Sequence, residues 1–414
     1  MYDKGVLEGT GSSYYPNGKL QVSTFFKEGE RHGYERYWYI HGQLQEEGWY
    51  QDGMMQGTWI SYDELGNISY ITEYLNNDLN GYKEEYSPGG KKNNETRYNM
   101  GWIEEFIQFD TTGKEISRSV IKNGNGKFKV VFFDGKTFGE GNYVDGELDG
   151  PYKFYFFDGK LNTQKFYNKG ELDSTYRNYF YSGQISAEGK YKWGKQEGVW
   201  KTWFASGKLN STENYVNGLM TGKKIYYFEN GKTDMEIDME EGEKNGWTKK
   251  YDPDGSLLYQ VRFVEDLPVS YTYVGKDGKL LPEIAIPGST GKVKTFFANG
   301  NPSAEFEYAE GKPHGNNIIY HSNGKIKTKG DENYGLSEGN YKYYYANGQL
   351  QYDYTFLHDN LHGFYKEYNE KGILTEEGYY YNGQPHNEIK KYDDSGKLKE
   401  TRYYYYGKLL DIKK

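Results

Sequence analysis

The chain has 414 residues, 27% charged and only 35% hydrophobic, with a formal charge of −9 and no cysteine. That balance argues against a general nucleic-acid or anionic-membrane binder and excludes a disulfide framework, a thiolate metal site and a cysteine nucleophile. Aromatic residues make up 18%, with 47 Tyr, so the chain is not a disordered polar polymer, and its apolar surface lies on amphipathic rings.

The stretch YYPNGKL at 14–20 has close relatives at 179–185, 203–209, 344–350 and 368–374. A stretch that recurs is an architectural unit. Its glycine runs through Gly18, Gly42, Gly66, Gly90, Gly113, Gly135, Gly159, Gly183, Gly207, Gly231, Gly255, Gly278, Gly300, Gly324, Gly348, Gly372 and Gly396. The step is 24 residues, except for 23 then 22 on either side of Gly113 and again of Gly278. A second turn glycine follows 11 residues later, as at Gly29, Gly53, Gly124, Gly146, Gly218 and Gly383, after Glu, Asp or Asn. Asn-Gly and Asp-Gly accept positive φ and mark tight hairpins. Two turns per period leave two strands of about eight residues. The expected fold is all-β: an elongated single-layer antiparallel β-hairpin repeat array, about 17 repeats of about 24 residues.

Four residues before each turn glycine stands a ring in most repeats, among them Tyr14, Trp38, Tyr62 and Tyr86. Two after it comes an aliphatic residue, as at Leu20, Leu44 and Ile68, and eight after it another ring, as at Phe26, Tyr50, Tyr74 and Tyr98. The expectation is one ladder on one face, which requires an odd loop or a bulge at the first turn. A third glycine precedes many aromatic strands, as at Gly33, Gly57 and Gly81. It is read as a site where a neighbouring ring lies over the backbone.

Gly5 lies 24 residues before Gly29, so the chain opens inside a repeat, and a leader or further repeats upstream are expected. Further along, LLPEIAIPGSTGK at 280–292 breaks the pattern, because Pro282 and Pro287 exclude a regular central strand. The chain is therefore divided into a repeat block at 1–278, an irregular Pro/Gly loop at 279–292 and a second repeat block at 293–414. The short spacing at 113–135 predicts a milder kink. The closing KLLDIKK places lysines on a last edge strand, which discourages edge-to-edge growth.

YYPNGKL followed by FFKEG, and YYFENGKTDMEIDMEEGEKNG at 226–246, resemble the bacterial variant of the MORN repeat. The resemblance runs from about residue 5 to about residue 410. Members of that group often carry an antitoxin-like label. Eukaryotic MORN arrays resemble elongated single-layer sheets that serve as scaffolds, some linked to membranes. Choline-binding cell-wall repeats share the Tyr/Trp/Gly content in a shorter unit of different order.

No residues assemble into a catalytic site. His32, His314, His362 and His386 share one repeat phase, which reads as structure rather than chemistry. HDNLH at 358–362 spans a turn and no helix, so no metal site is expected. PGSTGK at 287–292 lacks the spacing and the following helix of a phosphate loop. DPDG at 252–255 is a turn without the rest of a calcium loop. The acidic pairs Glu46/Glu47, Glu84/Glu85 and Glu104/Glu105 point to opposite faces of strands. Six tryptophans fall off the ladder: Trp49, Trp59, Trp102, Trp193, Trp200 and Trp247. They either cover the second face or form the contact surface for a partner. The expectation is a non-enzymatic, cofactor-free scaffold that binds another protein, antitoxin- or immunity-like. The competing reading is a cell-surface adhesin or glycan-binding array. No nucleic-acid or membrane partner is expected. The location is read as cytoplasmic, or as the cell surface if a leader has been removed.

Overall fold

The computed structural model describes residues 2–3 and 5–414. Among these residues there is no α-helix; antiparallel strands carry the fold, with one 3-10 turn at Pro287–Ser289. The chain forms two compact units, one of residues 1–159 with 166–171, the other of residues 160–165 with 172–414.

In the first unit, strand Gly9–Tyr14 leads into a five-residue turn. There the Tyr15 N–H donates to the Lys19 carbonyl at 2.8 Å and the Gly18 N–H to the Tyr15 carbonyl at 2.9 Å. The Asn17 side chain accepts from the Lys19 N–H at 3.0 Å, which holds the turn from inside. Strand Leu20–Lys27 then returns. The second turn follows, with Glu28 at φ 54° and Gly29 at φ 88°. Two successive left-handed residues make the type I′ turn that matches the twist of a hairpin, as the Glu-Gly, Asp-Gly and Asn-Gly pairs predict.

Within the continuous sheets the hairpins typically carry a bulge at both ends. Tyr14 pairs with Leu20 but Ser13 with Val22, so Gln21 is an extra residue. Beyond the second turn, Phe26 pairs with Arg31 but Thr24 with Glu35, which leaves two extra residues around Gly33 at φ 88°. The third glycine is thus set mainly by backbone conformation, not by an overlying ring. A ring is close at Gly33, where an added Cβ would meet Phe25 at 3.5 Å, but at Gly57 nothing lies within 4 Å.

The expected ladder is also corrected. Trp38 pairs with Leu44 while Tyr37 pairs with Glu46 and Gly33 with Tyr50. Successive strand residues face opposite sides. The ring before the turn and the aliphatic after it therefore share one face, and the ring eight residues on occupies the other. The bulge separates these positions instead of joining them.

The ladder on the more buried face is built differently. In several repeats the ring eight residues after the turn alternates with a ring nine residues later. Tyr50 meets Trp59 at 5.3 Å and Trp59 meets Tyr74 at 6.3 Å between centroids. In the second unit Tyr191 meets Trp200 at 5.1 Å and Trp200 meets Tyr215 at 6.2 Å. A fourth set of glycines makes room for this. A Cβ at Gly48 would lie 1.9 Å from Trp59, at Gly189 2.0 Å from Trp200 and at Gly330 2.2 Å from Tyr341. The opposite face carries cross-strand ion pairs such as Arg36–Glu47 at 2.9 Å, Arg177–Glu188 at 2.6 Å and Lys294–Glu305 at 2.9 Å.

Neighbouring repeats are stitched through their turns. The Tyr15 hydroxyl donates to the Trp38 carbonyl at 2.6 Å, the Asn17 amide to the Ile40 carbonyl at 3.0 Å and Lys19 to the His41 carbonyl at 2.5 Å. In the second unit Tyr345 donates to Tyr368 at 2.9 Å, Asn347 to Glu370 at 2.9 Å and Lys325 to Asn347 at 2.6 Å. The aromatic-x-Asn-Gly-Lys pattern is therefore a set of hydrogen-bond donors aimed one repeat ahead.

Where the period drops to 22, the sheet breaks and a buried apolar cluster appears. In the first unit a ten-stranded sheet ends at strand Glu115–Val120. Ile121, 1% exposed, then packs with Ile103 and Phe106, and Phe106 meets Phe128 at 4.7 Å. Gln108 bridges the break: it donates to the Val131 carbonyl at 3.0 Å and accepts from the Val131 N–H at 2.7 Å. In the second unit, residues 284–285 add a short strand against Ser270 and Tyr271. The chain then turns at Pro287–Ser289. Ile286 and Val293 are buried with Val261, Phe263, Tyr271 and Tyr308. A thirteen-stranded sheet begins at Gly291–Phe296. The 280–292 stretch is thus irregular, as its prolines require, but it is anchored by a buried isoleucine.

Candidate functional site

The six off-ladder tryptophans divide by environment. Trp59 is 3% exposed, and Trp200 lies over Gly189 among Tyr176, Tyr191 and Tyr215. Both are rings of the packed ladder, Trp59 buried and Trp200 half-buried. Trp49, Trp102 and Trp193 are exposed, at 39%, 50% and 66%. Trp247 is half-buried on the ion-paired face, opposite Arg262, and its backbone N–H donates to Asp238 at 3.0 Å.

Trp193 occupies the first residue of a second turn, at φ 52°. Many other repeats put Glu, Asp or Asn there, as at Glu28, Asp52, Asp145 and Asn217, though Met100, Tyr334 and Tyr406 occupy the same place elsewhere. A bulky residue in the left-handed region costs about 1–2 kcal/mol, and an exposed ring recovers little of that by packing. Trp102 follows another second turn and lies against Gly146, beside a cavity of about 590 Å³ shared with Val144 and Lys169.

Trp49 belongs to an aromatic cluster on the ion-paired face of the first unit. Tyr34 meets it edge-on at 5.1 Å, Arg36 lies 5.1 Å over the Tyr34 ring, and Phe25 and His32 line the same hollow. A cluster of the same design in the second unit centres on Phe364, Tyr379 and Tyr403. Counting tryptophans alone misses it. The legible signal is that Phe25, Trp49, Tyr379 and Tyr403 stand one residue before the ladder ring.

The histidines are structural where their bonds are defined. His362 Nδ1 accepts from the Asn382 N–H at 3.3 Å and His386 Nδ1 from the Tyr406 N–H at 3.2 Å. Burial holds His386 below the usual histidine range, which suits an acceptor nitrogen. His358 and Asp359 are the two left-handed residues of a second turn, so no helix underlies HDNLH. Gly291 of PGSTGK opens a strand. DPDG is a first turn, closed by the Asp252 N–H on Ser256 at 3.0 Å. Glu84 bonds Lys92 and Glu85 bonds Asn94, each with its own partner. Burial and the Glu84 bond push Tyr86 up to about 12, and burial does the same to Tyr143. These hydroxyls therefore remain donors at physiological pH.

Two bulges, two turn types and a stitched ring ladder, repeated, define a β-hairpin repeat protein. Its units match the MORN repeat variant at six segments: 7–28, 55–76, 148–169, 196–217, 337–358 and 385–404. Each match spans strand, first turn and returning strand. No curated protein matches. Among solved structures, a crystal structure of TcdB2-TccC3-Cdc42 is 12% identical with a TM-score of 0.14, covering 97% of this chain and 28% of that one. A Photorhabdus luminescens Tc holotoxin pore bearing TccC3-D651A gives 12%, 0.14, 97% and 27%. This chain thus spans little more than a quarter of those chains, and a TM-score this low carries no structural argument.

Proposed function

We propose that this chain is a non-enzymatic repeat scaffold that binds another protein, in the manner of an antitoxin or immunity protein. The observation that carries the reading is Trp193, a strained turn residue whose ring is left in solvent. Backbone strain that packing does not offset clusters at functional positions, and Trp is among the residue types enriched at binding hot spots. Trp49 and Trp102 present further rings of the same kind. MORN repeat variant segments support a scaffold role. The test is a pull-down from native host lysate with the wild-type chain and a Trp49/Trp102/Trp193→Ala variant. One stoichiometric protein partner, lost in the variant, is expected. Equal capture by both chains would remove the tryptophans from the interface, and no captured protein would overturn the reading.

A further inference from the structure

We infer that the aromatic hollow on the ion-paired face of the C-terminal repeats is a binding cleft for a neutral oligosaccharide. The hollow has a volume of about 880 Å³, within the range of small-ligand sites and roomy enough for a few pyranose rings. Phe364 is 77% exposed. It pairs directly across from Tyr379, whose ring it meets edge-on at 5.0 Å. Tyr403 stands on the same face, opposite Glu388.

The fold does not require rings at these places. The equivalent cross-strand pair is Lys223 with Asp238 in one repeat and Asn340 with Thr355 in another. Rings recur at both phases in Tyr34 and Trp49, again beside an ion pair, Arg36–Glu47. The choice of aromatic residues is therefore imposed by something outside the sheet.

The charges identify what that is. Lys366 is paired with Glu377 at 3.8 Å and Lys390 with Glu388 at 3.0 Å, while Lys413 lies 4.7 Å over the Tyr403 ring. The two lysines that line the hollow are each matched by a carboxylate, and Asp411 stands across from Tyr403 beside Lys413, so the lining offers an anionic ligand little surplus positive charge. Rings bordered by carboxylates, ammonium groups and the Asn387 amide suit a ligand with an apolar face and a hydroxyl edge. A pyranose has both. A wholly apolar peptide would leave the bordering carboxylates desolvated and unsatisfied.

The proposal does not depend on the protein-binding reading. The test is titration calorimetry of the full chain carrying Trp49→Ala, which isolates the C-terminal cleft, against chitohexaose, cellohexaose and xylohexaose. At least one is expected to bind, about tenfold more weakly after Phe364→Ala. Binding should be indifferent to added salt, because the ligand carries no charge. Phe364 is exposed, so its variant should melt like its parent; Lys366→Ala, a hydroxyl-edge contact, is the second variant. Absence of heat with all three sugars up to about 10 mM, binding untouched by both substitutions, or binding that fades with salt would each overturn the proposal.

Discussion

Gly48→Ala tests the ladder most directly. Gly48 has no positive φ, so alanine suits the backbone, and strand propensity alone would make the change mildly stabilising. The obstacle is the ring. An added Cβ would lie 1.9 Å from Cδ2, 2.1 Å from Cε2 and 2.4 Å from Cγ of Trp59. Trp59 is wedged between Tyr50 and Tyr74 and can relieve the clash only by leaving its site. Vacating a buried Trp site costs about 3–5 kcal/mol, so about 3 kcal/mol is expected after partial relaxation. Gly57→Ala is the control: no atom lies within 4 Å, and φ of 64° sets its cost at about 1–2 kcal/mol. Urea unfolding of the variants, with hydrogen exchange on peptides covering 44–62, reads both, because local opening in repeat proteins need not follow global unfolding. The Gly48→Ala/Trp59→Ala double variant should be less damaging than the sum by at least about 1 kcal/mol. If Gly48→Ala costs less than Gly57→Ala, the ring-over-glycine account is wrong.

Gln108→Leu should leave the N–H and carbonyl of Val131 buried and unpaired, a loss of about 2–4 kcal/mol; faster amide exchange at Val131 is the check. His386 is held below its unfolded pKa by burial, so its contribution is present above the unfolded value, near 6.5, and is lost as pH falls through the folded one. Acidification from pH 7 to pH 5 should therefore loosen the hairpins around Tyr406, and His386→Asn should flatten that response in pH-dependent exchange. Tyr39→Phe removes one stitch, the 2.8 Å bond to the Tyr62 carbonyl, and should cost about 1 kcal/mol in urea denaturation.

The hairpin period was legible in the sequence because turn chemistry is local. Asn17-Gly18-Lys19 and Glu28-Gly29 announce their conformations without any partner. The division of faces was not legible, because a bulge changes strand parity and leaves no composition signature of its own; Gln21 looks like any strand residue. The role of the third glycine is not legible, since Gly33 and Gly48 look alike in sequence while one serves φ and the other serves Trp59. The exposed clusters were half legible. Trp49 was picked out by its residue type, whereas Phe364 and Tyr379 are concealed in a chain where rings are common.

The stitching bonds have a kinetic consequence. Tyr15, Asn17 and Lys19 reach partners 22 or 23 residues away, as do their counterparts in the second unit. A β protein held by separations this uniform avoids the long loop closures that slow sandwiches and barrels. Each completed hairpin presents a formed template of carbonyls to the next, so order can spread from any starting repeat like a zipper closing tooth by tooth. The two places where the period shortens, around Ile121 and Ile286, are where that zipper must stop and restart. There the apolar clusters provide a fresh nucleus.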